Sequence, residues 1–145
     1  MGLQTYHRID LAIEQLATAI RLFLDHDAFA AVITLAGAAE EVLGCEVVRR
    51  GQQRVLDSNF DQYEQVHRLL HRSPLKKKDY IREANSTRDA LKHFGDPSES
   101  QVTVDLEETA CWMLVRACEN ASRLGLEVPG FQAFDDWFYE HVVGI

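Results

Sequence analysis

Apolar residues return every three or four positions along almost the whole chain, and that spacing suits one regular structure, the amphipathic α-helix. Ile9, Ile13, Leu16, Ile20 and Phe23 or Leu24 define a first helix over residues 6–25. "DHDAFAAVITLAGAAEEVLGCEVVRRG" predicts a second, with Asp27 as N-cap and Gly51 as stop. Within it Ala30, Gly37 and Gly44 repeat at intervals of seven, a seam without bulk along which another helix can approach closely.

A third helix is expected from about Phe60 to His71, ahead of Pro74, and a fourth from about Lys77 to Phe94, ahead of Gly95 and Pro97. Asp105 and Glu108 stand in capping-box spacing at the head of a fifth, which runs to Gly125. After Pro129 and Gly130, "FQAFDDWFYEHVV" reads as a last amphipathic helix. Only "QVTV" looks extended, too short to found a sheet. The expected fold is all-α: an antiparallel four-helix bundle with one or two accessory helices. At 145 residues and 46% hydrophobic content the chain fits one well-buried core, hence a single domain over residues 1–145.

The net charge of −8 argues against a protein that coats DNA or RNA indiscriminately, because such binding depends on neutralising phosphates with Lys and Arg. The charge is uneven, however. From Glu64 to His93 eight Lys and Arg face four Asp and Glu, a net of +4 that leaves −12 for the rest. Such a basic island suits either a focused anion site or an ordinary solvated face.

The start "MGLQTYHRIDLAIEQLATAI" lacks the basic region, apolar run and cleavage site of an export signal, so the expected location is cytoplasmic. No segment reaches the roughly 18 uninterrupted apolar residues of a membrane span, and no membrane partner is expected. Cys45, Cys111 and Cys118 contain no CxxC pair, and Cys111 and Cys118 read as small core residues.

A di-iron bundle needs two ExxH motifs, and this chain has one, Glu64 to His67. His67 and His71 are i, i+4, but "HRLLH" carries arginine where a zinc protease has glutamate. No Gly-rich phosphate loop or GxSxG elbow occurs. Neither a metal nor another cofactor is expected.

The fourth helix remains. On an ideal helix Tyr80, Ala84, Thr87, Leu91 and Phe94 form its core face, while Asn85, Asp89 and His93 form a polar line turned away, with Arg88 and Lys92 beside it. Arg88 and His93 then stand about 140° apart, too far round to grip one small group without a second copy of the helix, which a two-fold homodimer supplies.

"RDALKH", Arg88 to His93, resembles the signature of the HEPN superfamily: arginine, a polar residue, then histidine after four to six intervening positions. "LAGAAEEVLG" upstream extends the likeness to a group of bacterial HEPN-like proteins and to most of the chain. The resemblance implies an all-helical domain that dimerises so that two motifs share a cleft. It also implies, for many members, a metal-independent endoribonuclease, including toxins and defence components. RNA or a nucleotide is the implied ligand. The residue types suit that chemistry: His93 to take or give a proton, Arg88 to hold charge on phosphate, and Asp89 to position either. Asn85 and Lys92 are candidate phosphate or supporting contacts. Glu40 and Glu41, beside the small-residue seam, either face solvent or bring one carboxylate to Arg88 or its dimer mate. Two other functions fit the same residues: a HEPN-like module that binds nucleotide, RNA or protein without cutting, and a structural dimer in which Arg88 makes interface ion pairs.

Overall fold

The computed structural model describes residues 1–145. As expected, the chain is an all-α bundle: seven α-helices, a terminal π-helical turn and no strand. The helices are α1 (Arg8–His26), α2 (Phe29–Arg49), α3 (Val55–His71), α4 (Lys77–Ala84), α5 (Ser86–Lys92), α6 (Leu106–Arg123) and α7 (Phe131–Phe138), with the π-helical turn at Tyr139–Val143. No helix is long and apolar enough to cross a membrane.

The core lies between α1, α2 and α6, and α7 adds Phe134 to it. Leu16 and Ile20 from α1, Val32, Ile33 and Leu43 from α2, and Met113 and Leu114 from α6 supply its bulk. Ala12, Ala19, Ala36, Ala39, Ala110, Ala117 and Ala121 alternate with them and let the helices come close. The Phe23 ring meets Phe134 and Trp137 edge-on, which fastens α7 to α1. Cys111 and Cys118 are buried in this core, whereas Cys45 is exposed.

Several boundaries differ from the sequence reading, each for a physical reason. Asp27 does not cap α2; it closes α1 in the left-handed region, at φ 52°, and Ala28 takes the N-cap position without a side-chain bond. The chain must reverse within two residues there, and Asp tolerates that conformation better than most. Helix α3 starts at Val55 rather than near Phe60, because the Val55 N–H donates to Asn120 Oδ1 on α6, 3.0 Å away. A distant side chain therefore supplies the cap. Only Val55 and Leu56 of α3 are buried; Tyr63, Val66, Leu69 and Leu70 remain exposed on its outer part. At α6 the capping residue is where the spacing put it: the Glu108 N–H donates to Asp105 Oδ1 at 2.9 Å.

The expected single helix from Lys77 to Phe94 is two helices. It breaks at Asn85, with φ −104° and ψ 2°, and α5 ends at Lys92. Arg116 of α6 donates to the Ala84 carbonyl freed by the break, at 3.4 Å, and to Asn85 Oδ1, at 3.0 Å. The assignment of faces changes with it. Ala84, Leu91 and Phe94 are exposed and not core, while Asn85, placed on a solvent line by the ideal-helix projection, is buried.

Candidate functional site

Arg88 sits where α5 crosses α2. Its stem lies on the backbone of Gly37, and its guanidinium is bordered by acid on three sides. Nε and Nη2 both donate to Asp89 Oδ1 at 3.2 Å, and Nη1 stands 3.7 Å from Glu41 Oε2 and 4.0 Å from Glu40 Oε2. The acids are not equivalent. The Glu40 side chain is 3% exposed, whereas those of Asp89 and Glu41 are 48% and 60% exposed. Solvent can compensate the latter two if they move; Glu40 is fixed in place.

Glu40 also faces Arg116. Arg116 Nη2 lies 3.0 Å from Glu40 Oε1, a charge pair by distance, but the Arg116 donors are directed at Ala84 and Asn85. Glu40 Oε1 and Arg116 Nε consequently have no hydrogen bond. One buried carboxylate thus stands between two arginines, one from α6 and one from α5. The opposite charges compensate one another in the interior, and removal of either leaves the other unpaired. The Glu40 carbonyl also accepts from Asn120 Nδ2 at 3.3 Å, and the approach is open because Gly44 carries no Cβ. The small-residue seam of α2 therefore receives polar side chains: Arg88 at Gly37, and Asn120 with Arg54 at Gly44.

His93 lies past the last turn of α5 with extended dihedrals, φ −126° and ψ 131°, and is exposed, as is Lys92. The 140° separation calculated for a continuous helix does not apply, since the backbone leaves the helix at His93. That angular argument for a second copy falls with it. Asn85 likewise belongs to the buried joint rather than to an exposed phosphate contact.

Of the candidate residues, the fold gathers Arg88, Asp89, Glu40 and Glu41 around one guanidinium, ties Asn85 to that group through Arg116, and leaves His93 and Lys92 at the solvent edge. Sequence reasoning missed Arg116 and Asn120. Both interrupt the apolar run "ACWMLVRACENA", and with Met113 they fall at i, i+3 and i+7, the spacing of a core face. A polar residue on such a face signals a buried network.

Beside α4 and α5, the α3–α4 hairpin is held by Asp57, which accepts from Arg54 at 3.0 Å and pairs with Lys77 at 3.1 Å. Burial alone would raise the Asp57 carboxyl, but hydrogen bonds from Arg54 and Lys77 outweigh it and hold the group below its ordinary value. The His67 and His71 rings lie 4.7 Å apart, with His67 Nδ1 3.1 Å from the Ser73 carbonyl oxygen. No group of three or more His, Cys, Asp or Glu is disposed to hold a metal ion. Comparison with protein-family models, with curated proteins and with solved structures finds no match to this chain.

Proposed function

We propose that the chain is a HEPN-type, metal-independent endoribonuclease in which Arg88 holds the scissile phosphate and His93 moves a proton. The observation that carries this reading is the way Arg88 is mounted. Its stem rests on a glycine, one fixed carboxylate stands behind it, and two exposed carboxylates lie beside it. A phosphate approaching from solvent would displace Asp89 and Glu41, while Glu40 keeps the guanidinium aimed outward.

The chemistry is transfer within the RNA. The 2′-hydroxyl loses its proton and its oxygen bonds to phosphorus; the bond to the 5′-oxygen breaks and that oxygen takes a proton. The products are a 2′,3′-cyclic phosphate and a 5′-hydroxyl. Two proton transfers call for two groups, and each copy of the motif supplies one His93. A homodimer with facing motifs supplies the pair.

The direct test is incubation of wild type and His93→Ala with structured and unstructured RNA in EDTA. Wild type is expected to release cyclic-phosphate ends, and the variant to be slower by about 10²–10⁴-fold. Equal behaviour of the two proteins would overturn catalysis at this site. The second reading, a HEPN-like module that binds nucleotide or RNA without cutting it, is favoured by the excess of acid around Arg88, which weakens it as an anion site. Saturable binding of labelled RNA without cleavage would select it.

A further inference from the structure

We propose that the cleft between α3 and α4 binds one nucleotide unit, with its base on Tyr63 and its phosphate at Arg72. The cleft encloses about 540 Å³ and is walled by Tyr63, Tyr80, His67 and His71, with Asp79 and Glu83 on its rim. A volume of this order suits a small ligand.

Its walls are flat. Tyr63 and Tyr80 lie 5.6 Å apart with rings inclined by 35°, and Phe60 meets Tyr80 edge-on at 5.5 Å. Tyr63 is 56% exposed, so an aromatic surface braced by Tyr80 is open to solvent. Stacking on such a face is how unpaired bases are held, and it is sequence-tolerant because every base has a π-face. The carboxylates of Glu83 and of Asp79, the latter paired with Arg82 at 3.0 Å, set the direction of the ligand. They repel a phosphate and accept from the amino and imino hydrogens of a base edge, so the base lies in the cleft and the phosphate outside it.

The phosphate has a place to go. Ser73, with Arg68, Arg72 and Pro74, lines a separate notch of about 300 Å³, linked to the cleft by the contact of the His67 ring with the Ser73 carbonyl. Arg68 is tied to Glu64, whereas Arg72 makes no ion pair. Arg72 also has φ 52°, one of two residues other than glycine with positive φ. That αL position after a helix is one that glycine fills without strain and a residue with a Cβ does not. The hairpin thus carries an unpaired arginine at a backbone position that disfavours any side chain, beside a cleft that fits a base. Such strain is a pointer to function when a site stands next to it.

This inference rests on the ribonuclease reading only for the source of the nucleotide, a single-stranded RNA; a free mononucleotide has the same chemistry. Fluorescence anisotropy of a labelled single-stranded heptaribonucleotide, measured on the full chain in EDTA at about 50 mM salt, tests it. His93→Ala serves as the background, so that no cleavage intervenes. Tyr63→Ala is expected to weaken binding about tenfold and Tyr63→Phe to restore it. Arg72→Gly separates binding from folding. It is expected to raise the Tm by relieving the αL backbone, yet to weaken binding several-fold and to lower the salt slope by about one. Competition by AMP would show that a mononucleotide suffices; binding of the oligomer alone would assign the site to a strand. Oligomer affinity unchanged in both Tyr63→Ala and Arg72→Gly would overturn the proposal. If wild type fails to cut RNA while Tyr63- and Arg72-dependent binding persists, the ribonuclease reading fails and this one stands. Cleavage with binding indifferent to both residues gives the reverse.

Discussion

The side chain of Arg88 crosses α2 at the one place where it can lie flat: a Cβ built on Gly37 would stand 2.6 Å from Arg88 Cδ and 2.9 Å from Cγ. Arg88 and a glycine on another helix are therefore one structural unit. Gly37→Ala gains about 1 kcal/mol of helix propensity and incurs about 1–3 kcal/mol of crowding, so urea unfolding should show a loss below about 2 kcal/mol. The displaced guanidinium should lower RNA cleavage about a hundredfold. Cleavage at the wild-type rate in Gly37→Ala would show that this seating is dispensable.

Glu40 and Arg116 should behave as a buried pair. Glu40→Leu strands Arg116, and Arg116→Met strands Glu40, which stands 4.0 Å from the partly exposed Arg88; each should cost about 3–5 kcal/mol. The double variant Glu40→Leu/Arg116→Met removes both charges and should cost less than either single change. Denaturant titration of the four proteins gives the coupling directly. Simple addition of the two losses would mean that the residues do not act together.

The acid limb of stability should carry a contribution from Asp57. Its folded-state value is depressed by Arg54 and Lys77, so the stability it lends is present above the unfolded-state value of about 4. It is lost as pH falls from there through the lower folded value. Asp57→Asn should flatten the unfolding free energy against pH below about 4, with the change concentrated in amide exchange of the α3–α4 hairpin. A limb of unchanged slope in the variant would remove Asp57 from this role.

One thiol per chain should react with Ellman's reagent under native conditions. Burial pushes Cys111 up to about 11 and Cys118 up to about 12, so both remain protonated and enclosed at neutral pH. Cys45 is exposed on α2. Cys45→Ser should abolish the fast reaction; rapid labelling that survives it would mean that the core opens readily.

The scaffold was legible because its causes are local. Ile9, Ile13, Leu16, Ile20 and Phe23 repeat with the helix itself, and Asp105 caps α6 from three residues away. What escaped has distant causes. The start of α3 is set by Asn120, 65 residues on, and the joint at Asn85 is held by Arg116, 31 residues on. No window on either segment contains its partner. Once the joint is missed, an ideal helix puts Leu91 and Phe94 inside and Asn85 outside, opposite to what is found. Residue types were the better guide at the site, since a carboxylate beside a small-residue seam calls for a cation, and Glu40 has two.

The helices α1, α2, α6 and α7 close an apolar core to which the stretch between α2 and α6 adds little beyond Val55 and Leu56. That stretch, which carries both Arg88 and the α3–α4 cleft, is fastened mainly by Arg54, Asp57, Lys77, Asn85, Arg116 and Asn120. The scaffold is thus held by apolar packing and the inserted stretch by polar ties, several of which reach back into α2 and α6. Ionic strength and pH should therefore bear on that stretch more than on the packing beneath it, so the two parts of one small chain answer to different solvent conditions.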